Sequence, residues 1–375
     1  MSTSPPPSPR TALAAIADGA GAFVIEPVEV RVPAEDEVRV RLKAAGVCHT
    51  DHASLHWPGP LVMGHEGAGV IEAVGEAVTE FAVGHPVLLN WAIPCGRCAQ
   101  CARGNAPLCE RTLARDASLG TSAAGPRHTL WNGRAIERSF NLGTFAEYTL
   151  VRPEALTPLP SELPMAQACI LGCGVMTGVG SAINIAEVQP GESVAVIGCG
   201  GVGLSVIQGA RLAGAGRIIA VDLHRAKLDR AQELGATDCL LASRDDADHR
   251  ALIQAVLALT GGRGADHAFE ATGQAALSFL PLRLARDGGN ALQLSGSHGE
   301  VTVPMPWFQW NKRYLTPLYG GCVPDRDFPR LIDWALSGAL ELASMVDASY
   351  RLNELGAALD DMLAGRTTKG VVLFD

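Results

Sequence analysis

A glycine-rich turn between a buried strand and a helix limits the folds open to this chain more than any other feature. Residues 193–197 are mostly apolar and partly β-branched, as in a parallel strand that is buried on both faces. The pattern Gly-x-Gly-x-x-Gly follows from Gly198 to Gly203, and apolar residues at helical spacing come next. Strands and helices then alternate as far as residue 294, which predicts a doubly wound parallel sheet.

The same alternation predicts the individual elements. Further strands are expected at 217–221, 238–241, 265–269 and 291–294, with a sixth at 314–319. Helices are expected at 227–234, 250–259 and 274–284. The last part of the sequence is expected to form helices over 325–340 and 352–365 and a strand over 370–374.

The glycine pattern alone is a weak indication in a chain with 42 glycines, but its context strengthens it. The next predicted strand ends at Asp222, nineteen residues after Gly203. The turn lets the backbone approach a pyrophosphate, which the helix N-terminus attracts. An acid in this position accepts a hydrogen bond from a ribose 2′-hydroxyl and repels a 2′-phosphate, so NAD is predicted over NADP. The predicted NAD-binding residues are Gly198, Gly200, Gly201, Val202, Gly203 and Asp222, with Lys227 either on the adenosine ribose or solvated on its helix.

The N-terminal part of the chain has a different pattern. Residues 22–91 contain short alternating apolar runs with Gly and Pro between them, which predicts an antiparallel barrel or sandwich. Strand-like residues return at 145–151. The polar stretch 111–141 is interpreted as a long surface excursion.

Size and charge exclude several classes of protein. With 375 residues the chain is too long for one core, so two domains are expected. The net charge of -9 argues against a nucleic-acid partner. No apolar run reaches about eighteen residues, so no membrane span is expected. Residues 1–10 are interpreted as a disordered tail rather than a signal peptide, so a cytoplasmic protein is predicted.

Four of the ten cysteines are crowded into one loop, with the spacing Cys95-x2-Cys98-x2-Cys101-x7-Cys109. Four thiols this close favour a closed tetrahedral metal site, and zinc suits thiolates without redox chemistry. An iron–sulfur cluster or a chance spacing is the alternative. A zinc-finger module for nucleic acid fits poorly with the acidic charge.

A second candidate metal site lies earlier in the chain. Cys48 and His65, both preferred zinc ligands, are joined by a short loop, and Thr50, Asp51 and Glu66 stand beside them. Taken alone, a buried Cys is more often a small apolar core residue than a ligand.

The full order of these features resembles the zinc-dependent medium-chain alcohol dehydrogenase family, from about residue 22 to residue 375. The order is Cys48, His65-Glu66, the four crowded cysteines, Cys173, the glycine turn and Asp222. Segments 171–176 and 319–329 are similar to the subgroup of thiol-dependent formaldehyde and aryl-alcohol dehydrogenases. The resemblance implies an α/β protein: a GroES-like β-rich catalytic domain over 1–172 and 319–375, and a Rossmann domain over 173–318.

The resemblance also implies two zinc ions per subunit. Cys48, His65 and Cys173 would hold the catalytic ion, and Glu66 would lie behind it as a transient ligand. Asp51 would hydrogen-bond the far nitrogen of His65. The structural ion would be held by Cys95, Cys98, Cys101 and Cys109.

Further roles follow from the same resemblance. Thr50 would take the alcohol proton, His49 would lie on the pyrophosphate, and Thr177 would approach the nicotinamide. Lys369 would reach a cofactor phosphate. Many members end their proton relay at a histidine where this chain has Ala53, so either the adjacent His52 substitutes for it or the relay ends in solvent.

The implied activity is NAD-linked oxidation of a primary alcohol to its aldehyde, and the reverse. Trp57 and Trp91, with His56, suggest an aromatic or medium-sized apolar substrate. The alternative is a formaldehyde–thiol adduct, whose carboxylate Arg111 or Arg115 could meet. An alternative of another class is a non-catalytic zinc-binding structural protein. Relatives pair through the edge of the cofactor-domain sheet, here residues 301–314, so a homodimer is expected.

Overall fold

The computed structural model describes residues 8–111, 129–246, 248–297 and 299–375. The chain forms two compact units, one from Met1–Cys173 with Val323–Asp375 and the other from Gly174–Cys322. The domain boundaries predicted from the sequence come after residues 172 and 318. The divisions between the two compact units come after Cys173 and Cys322.

The first unit contains a closed barrel and an open sheet. The barrel has the order β1-β2-β7-β8-β4, and the sheet has the order β10-β6-β5-β3-β18-β17, with β9 also on β3. Their strands are β1 (Arg10–Ala17), β2 (Phe23–Val30), β3 (Val38–Gly46), β4 (Leu61–Val62), β5 (Gly67–Val74), β6 (Pro86–Leu89), β7 (Thr129–Trp131), β8 (Arg134–Arg138), β9 (Tyr148–Val151), β10 (Leu156–Pro158), β17 (Val346–Tyr350) and β18 (Lys369–Leu373). The helices are α1 (His49–Ser54), α2 (Ala99–Ala102), α3 (Met165–Ala168), α9 (Pro324–Leu336) and α10 (Leu355–Leu363).

Strand β3 organises the part of this unit that carries the candidate metal ligands. It pairs with β5, β9 and β18, and it ends at Gly46, two residues before Cys48. Val371 of β18 is the register partner of Gly46. Pairing with β5 places the segment that begins at Gly67 beside β3, so His65 and Glu66 come close to Cys48 although they are distant in sequence.

Two sequence predictions for this unit need correction. The excursion predicted over 111–141 includes the hairpin β7–β8, whose turn residues Asn132 and Gly133 have φ of 50° and 73°. Such a left-handed pair gives the tight turn that matches strand twist. Residues 112–128 of the predicted excursion lie outside the described residues. The tail predicted over 1–10 is wrong at Arg10, which begins β1 and pairs with Glu72; residues 1–7 are also outside the described part.

The second unit is a six-stranded parallel sheet with the order β13-β12-β11-β14-β15-β16. Its strands are β11 (Ser193–Ile197), β12 (Arg217–Asp222), β13 (Asp238–Leu241), β14 (Ala265–Glu270), β15 (Ala285–Gln293) and β16 (Arg313–Leu315), and its helices are α4 (Gly174–Gly180), α5 (Gly201–Leu212), α6 (Arg225–Glu233), α7 (Arg250–Leu259) and α8 (Leu280–Leu284). The strand order reverses between β11 and β14. The predicted doubly wound sheet and the β-rich barrel are therefore confirmed.

The predicted helix over 274–284 is divided in the structure. A single 3-10 turn covers Ala275–Leu277, and the short α8 follows with Pro281 in its first turn. Proline lacks the backbone N–H that would continue a helix through this position. Among the described residues, no single helix is long and apolar enough to cross a membrane. The consecutive helical segments 165–172 and 174–185, which are bent relative to each other, reach the length and apolar composition of a membrane span only when they are counted together.

Candidate metal centres and dinucleotide site

Four predicted ligands meet at the end of β3. The ligand atoms of Cys48, His65, Glu66 and Cys173 all lie within 4.8 Å of one another. Cys48 precedes α1, His65 and Glu66 precede β5, and Cys173 follows a 3-10 turn at Cys169–Gly172. The fold therefore brings together residues that are separated by more than a hundred positions in sequence.

The carboxylate of Asp51 joins two of these ligands. Its Oδ2 accepts the backbone N–H of Cys48 at 2.9 Å, and its Oδ1 lies 2.8 Å from Nδ1 of His65. The predicted Asp51–His65 hydrogen bond is thus confirmed. Since a carboxylate only accepts, Nδ1 carries a proton, and Nε2 is the ring nitrogen that can bind a metal. That Nε2 is buried and has no hydrogen-bond partner among the described residues, which suits a metal ligand.

Hydrogen bonds within the cluster, burial and the Asp51 carboxylate together shift the pKa values of the ligands. A hydrogen bond from Cys173 lowers the pKa of the Cys48 thiol, and the same bond raises the pKa of Cys173. Burial acts to lower the pKa of His65, but the Asp51 carboxylate outweighs it and raises that pKa well above its ordinary value. A metal ion bound here would replace a proton on the imidazole and would favour both thiolates.

Lys369 lies beside the predicted zinc ligands. Its Nζ is buried, 2.7 Å from Oε1 of Glu66, and it donates to the carbonyl of Val47 at 3.1 Å. Lys369 is placed there because it begins β18, which pairs with β3 beside Gly46. The contact with a cofactor phosphate that the resemblance implies stays a prediction. Burial raises the pKa of Glu66 to about 7, and the Lys369 ammonium opposes that rise.

Gly46 leaves room for the Glu66 side chain. A Cβ added to Gly46 would fall far inside van der Waals contact with Oε2 of Glu66. That Oε2 is buried without a hydrogen-bond partner among the described residues. Two thiols, an imidazole with a free lone pair and a nearby carboxylate are a donor set that zinc prefers.

The four crowded cysteines form the second cluster, with sulfur atoms within 4.8 Å of one another. The backbone N–H of Cys95 donates to Sγ of Cys109 at 3.3 Å, and that of Cys101 donates to Sγ of Cys98 at 3.4 Å. The latter bond lowers the pKa of Cys98, whereas burial raises the pKa of Cys101 to about 12. Four sulfur donors this close together fit a closed zinc site.

An aromatic cluster lies against His65. The ring of Phe140 has its centroid 5.0 Å from those of His65 and Trp91 and 5.5 Å from that of Trp57. Phe140 has φ of 52°, a left-handed conformation that a bulky residue rarely adopts. Sequence reasoning identified the two tryptophans but missed Phe140, because no local pattern places it beside the ligand.

The remaining predicted residues of this unit lie on or near α1. His49 is its exposed first residue, and Thr50 and His52 are half-buried. Arg111 is exposed, and Arg115 lies outside the described residues. Their predicted roles stay predictions.

In the second unit, the glycine turn follows β11 and opens α5. Gly198 has φ of 92°, in the left-handed region that favours glycine. A Cβ on Gly203 would collide with the carbonyl of Gly198, whereas one on Gly200 would meet nothing within 4 Å. The turn is therefore tight on its inner side and open on its outer side, as backbone binding of a pyrophosphate requires.

Asp222 ends β12 beside this turn. Its Oδ2 accepts the backbone N–H of Cys199 at 2.9 Å, and its Oδ1 accepts that of His224 at 2.9 Å. Each oxygen retains a second lone pair that could accept from a ribose hydroxyl. Lys227 is half-buried in the first turn of α6, and Thr177 is buried in α4.

Comparisons with known proteins agree with this geometry. Residues 34–161 match the alcohol dehydrogenase GroES-like domain, and residues 201–337 match the zinc-binding dehydrogenase domain. S-(hydroxymethyl)glutathione dehydrogenase of Synechocystis sp. is 35% identical over 353 residues, which are 92% of this chain and 94% of that protein.

Two solved structures are similar over nearly their whole length. An alcohol dehydrogenase zinc-binding domain protein from Burkholderia ambifaria is 34% identical with a TM-score of 0.89, covering 98% of this chain and 100% of its own. Benzyl alcohol dehydrogenase from Acinetobacter calcoaceticus is 29% identical with a TM-score of 0.87 and the same two coverages.

The fold and the two ligand clusters define a zinc-binding, NAD-dependent dehydrogenase. The chain belongs to the zinc-dependent medium-chain alcohol dehydrogenase family. The resemblance stated from the sequence is confirmed, and so is the expectation of an enzyme that uses zinc and NAD. These relatives give no support to a non-catalytic structural protein.

Proposed function

We propose that this enzyme oxidises an aromatic or medium-sized apolar primary alcohol to its aldehyde with NAD, and catalyses the reverse reaction. The observation that carries the proposal is the cluster of Phe140, Trp57 and Trp91 against His65. Aromatic rings beside a metal ligand favour a flat apolar group close to the reacting hydroxyl.

Specific residues of the chain are assigned to the metal. Cys48, His65 and Cys173 would hold the catalytic zinc, with Glu66 as a transient ligand, and the four crowded cysteines would hold the structural zinc. A zinc ion bound by the first set supplies the Lewis acidity that lowers the pKa of an alcohol hydroxyl. Asp51 keeps His65 in the tautomer that leaves Nε2 free, and Thr50 accepts the alcohol proton. His52 is the candidate that passes it onward.

The dinucleotide is assigned to the second unit. The turn from Gly198 to Gly203 receives the pyrophosphate, and Asp222 accepts from the adenosine ribose. Lys227 assists there, and Thr177 contacts the nicotinamide. His49 is assigned to the pyrophosphate on the strength of the family resemblance.

The second candidate substrate is a formaldehyde–thiol adduct. The relative from Synechocystis is named for S-(hydroxymethyl)glutathione, which favours this alternative. Arg111, which is exposed, is proposed to bind the carboxylate of the thiol cofactor.

Steady-state kinetics with benzyl alcohol, and with formaldehyde plus glutathione or mycothiol, distinguish the two substrates. We expect the higher kcat/KM with benzyl alcohol. Phe140→Ala is expected to raise KM for benzyl alcohol about tenfold while that for ethanol changes little, since truncation removes roughly 1–2 kcal/mol of ring contact. Phe81→Ala, at a buried phenylalanine in another loop of the first unit, is the control. A thiol requirement for turnover would reject the aromatic alcohol.

We also propose a homodimer through residues 301–314 and the edge strand β16. Met305 and Trp310 in this segment are 73% and 69% exposed, although large apolar side chains are usually covered. Light scattering of the purified protein tests this proposal, with Trp310→Glu expected to yield monomers.

A further inference from the structure

Glu270 is a buried carboxyl group whose role none of the assignments above explains. It ends β14 and is fully buried. Its Oε1 accepts the backbone N–H of Thr272 at 2.6 Å, the Thr272 hydroxyl, and the backbone N–H of Gly273 at 3.2 Å. Its Oε2 is buried without a hydrogen-bond partner among the described residues. A buried carboxyl oxygen without a partner is costly, so its retention calls for an explanation.

The three donors make Glu270 a clamp on the loop after β14. Thr272 is the residue that this loop presents to the glycine turn, since a Cβ on Gly198 would lie 2.7 Å from its Cγ2. Glu270 is also the register partner of Ile197, the residue just before that turn. A change at Glu270 is therefore transmitted through Thr272 to the first glycine of the dinucleotide turn.

The sheet order shows which half of a dinucleotide Glu270 would face. The order reverses between β11 and β14, and dinucleotides bind across the crevice at such a reversal. Asp222, assigned to the adenosine ribose, ends β12 on one side of β11. The nicotinamide half then belongs on the side of β14 and β15, where Glu270 and its cross-strand neighbour Gln293 end their strands.

We infer that Glu270 is a positioning residue for the nicotinamide half of the dinucleotide, and that its negative charge favours NAD⁺ over NADH. The inference rests on the dinucleotide site proposed above. The nicotinamide ring is cationic in NAD⁺ and neutral in NADH, so a carboxylate at this edge stabilises only the oxidised form. The clamp on Thr272 acts on both forms.

Two conservative variants separate these effects. Glu270→Gln keeps an oxygen acceptor for Thr272 and Gly273 but removes the charge. Thr272→Val keeps a methyl group against Gly198 but removes the hydroxyl donor. Glu192→Gln is the matched control, because Glu192 lies before β11, at the opposite end of the strand from the glycine turn, with its carboxylate on His267.

The measurement is the Kd of NAD⁺ and of NADH for the zinc-loaded full chain, without any alcohol, by calorimetry and NADH fluorescence. For Glu270→Gln we expect the ratio of Kd for NAD⁺ to Kd for NADH to rise about three- to tenfold, as for one partly screened charge pair. For Thr272→Val we expect both Kd values to rise together. The control leaves both unchanged.

An unchanged ratio in Glu270→Gln would overturn the charge preference, and unchanged affinities in both variants would overturn the positioning role. If Glu270→Gln fails to fold, the Thr272→Val result alone decides whether the clamp positions the dinucleotide. Wild-type protein that binds neither form would instead reject the underlying dinucleotide site. A failed substrate assignment leaves these binding measurements unaffected.

Discussion

The ammonium nitrogen of Lys369 lies 2.7 Å from Oε1 of Glu66, and both side chains are buried next to the candidate catalytic zinc ligands. The two residues are 303 positions apart in sequence. Burial alone would favour a neutral carboxyl at Glu66, so the lysine is what keeps a negative charge tolerable beside the metal site.

Removing the cation from this pair should destabilise the protein. Lys369→Met leaves Glu66 buried without its partner, and the expected loss in the free energy of unfolding is about 3–5 kcal/mol. Urea denaturation followed by circular dichroism measures it. Lys43→Met in β3 is the control. An equal loss in its free energy of unfolding would show that the Lys369–Glu66 ion pair does not cause the destabilisation.

Asp51 should control metal retention. In Asp51→Asn the amide can donate to Nδ1 of His65, which moves the imidazole proton to Nε2 and blocks the metal lone pair. Zinc affinity at this site is expected to fall about 10–100-fold, while the four-cysteine site keeps its ion. Metal analysis after dialysis against a chelator should find one zinc per chain in the variant. Asp248→Asn, at an exposed ion pair, should retain two, and two in both proteins would contradict the prediction.

Gly46 should be intolerant of any side chain. The Cβ of Gly46→Ala would displace the Glu66 carboxylate and strain its contact with Lys369. We expect weaker zinc retention and a lower melting temperature. Gly296→Ala is a matched control, because its Cβ would meet nothing within 4 Å. Equal melting temperatures for Gly46→Ala and Gly296→Ala would contradict the prediction.

The crowded cysteines should contribute stability without taking part in chemistry. Cys98→Ser is expected to lose one zinc ion and to lower the melting temperature, because this loop has little apolar core of its own. Cys239→Ser, at a half-buried thiol outside both clusters, should keep two. Metal content and differential scanning calorimetry test this, and a Cys98→Ser protein with two zinc ions would reject the site.

Asp266 should make the stability of the second unit depend on pH in the acid range. Hydrogen bonds from Ser193 and Arg286 outweigh partial burial and lower the pKa of Asp266 to about 2. A lowered pKa stabilises the fold above the ordinary value near 3.8, and this contribution disappears as the pH falls through about 2. Asp266→Asn should cost about 1 kcal/mol at pH 7 after allowance for solvent screening. Denaturation of both proteins from pH 7 to pH 2 should show the difference shrinking below pH 4, and a constant difference would refute the cause.

The second unit could be predicted closely because each of its elements is local. The strand at 238–241 and the helix at 250–259 have the same bounds in the sequence prediction and in the structure. A buried parallel strand followed by a helix is visible in a short window of sequence. Two elements differ: the helix expected over 274–284, where Pro281 was given too little weight, and the strand expected over 314–319, which the structure has at Arg313–Leu315.

The first unit was harder because its contacts are non-local. The Asn132–Gly133 dipeptide is a strong hairpin indication, and it was available in the sequence but was overlooked within a polar stretch. Phe140 and Lys369 could not be placed in this way. The neighbours of Phe140 lie some fifty residues or more away in sequence, and Glu66, the partner of Lys369, lies 303 positions away in the segment before β5.

The pairing of β18 with β3 also sets an order of assembly. A chain is synthesised from its N-terminus, and its domains begin to fold as they emerge from the ribosome. The second unit is one uninterrupted stretch, Gly174–Cys322, so it can fold while Lys369 is still to be synthesised. The first unit must hold its Cys48 loop without β18 during that interval. The candidate catalytic metal site would therefore be completed late, and until β18 is added the thiols of a nascent chain would be exposed to other metals and to oxidation.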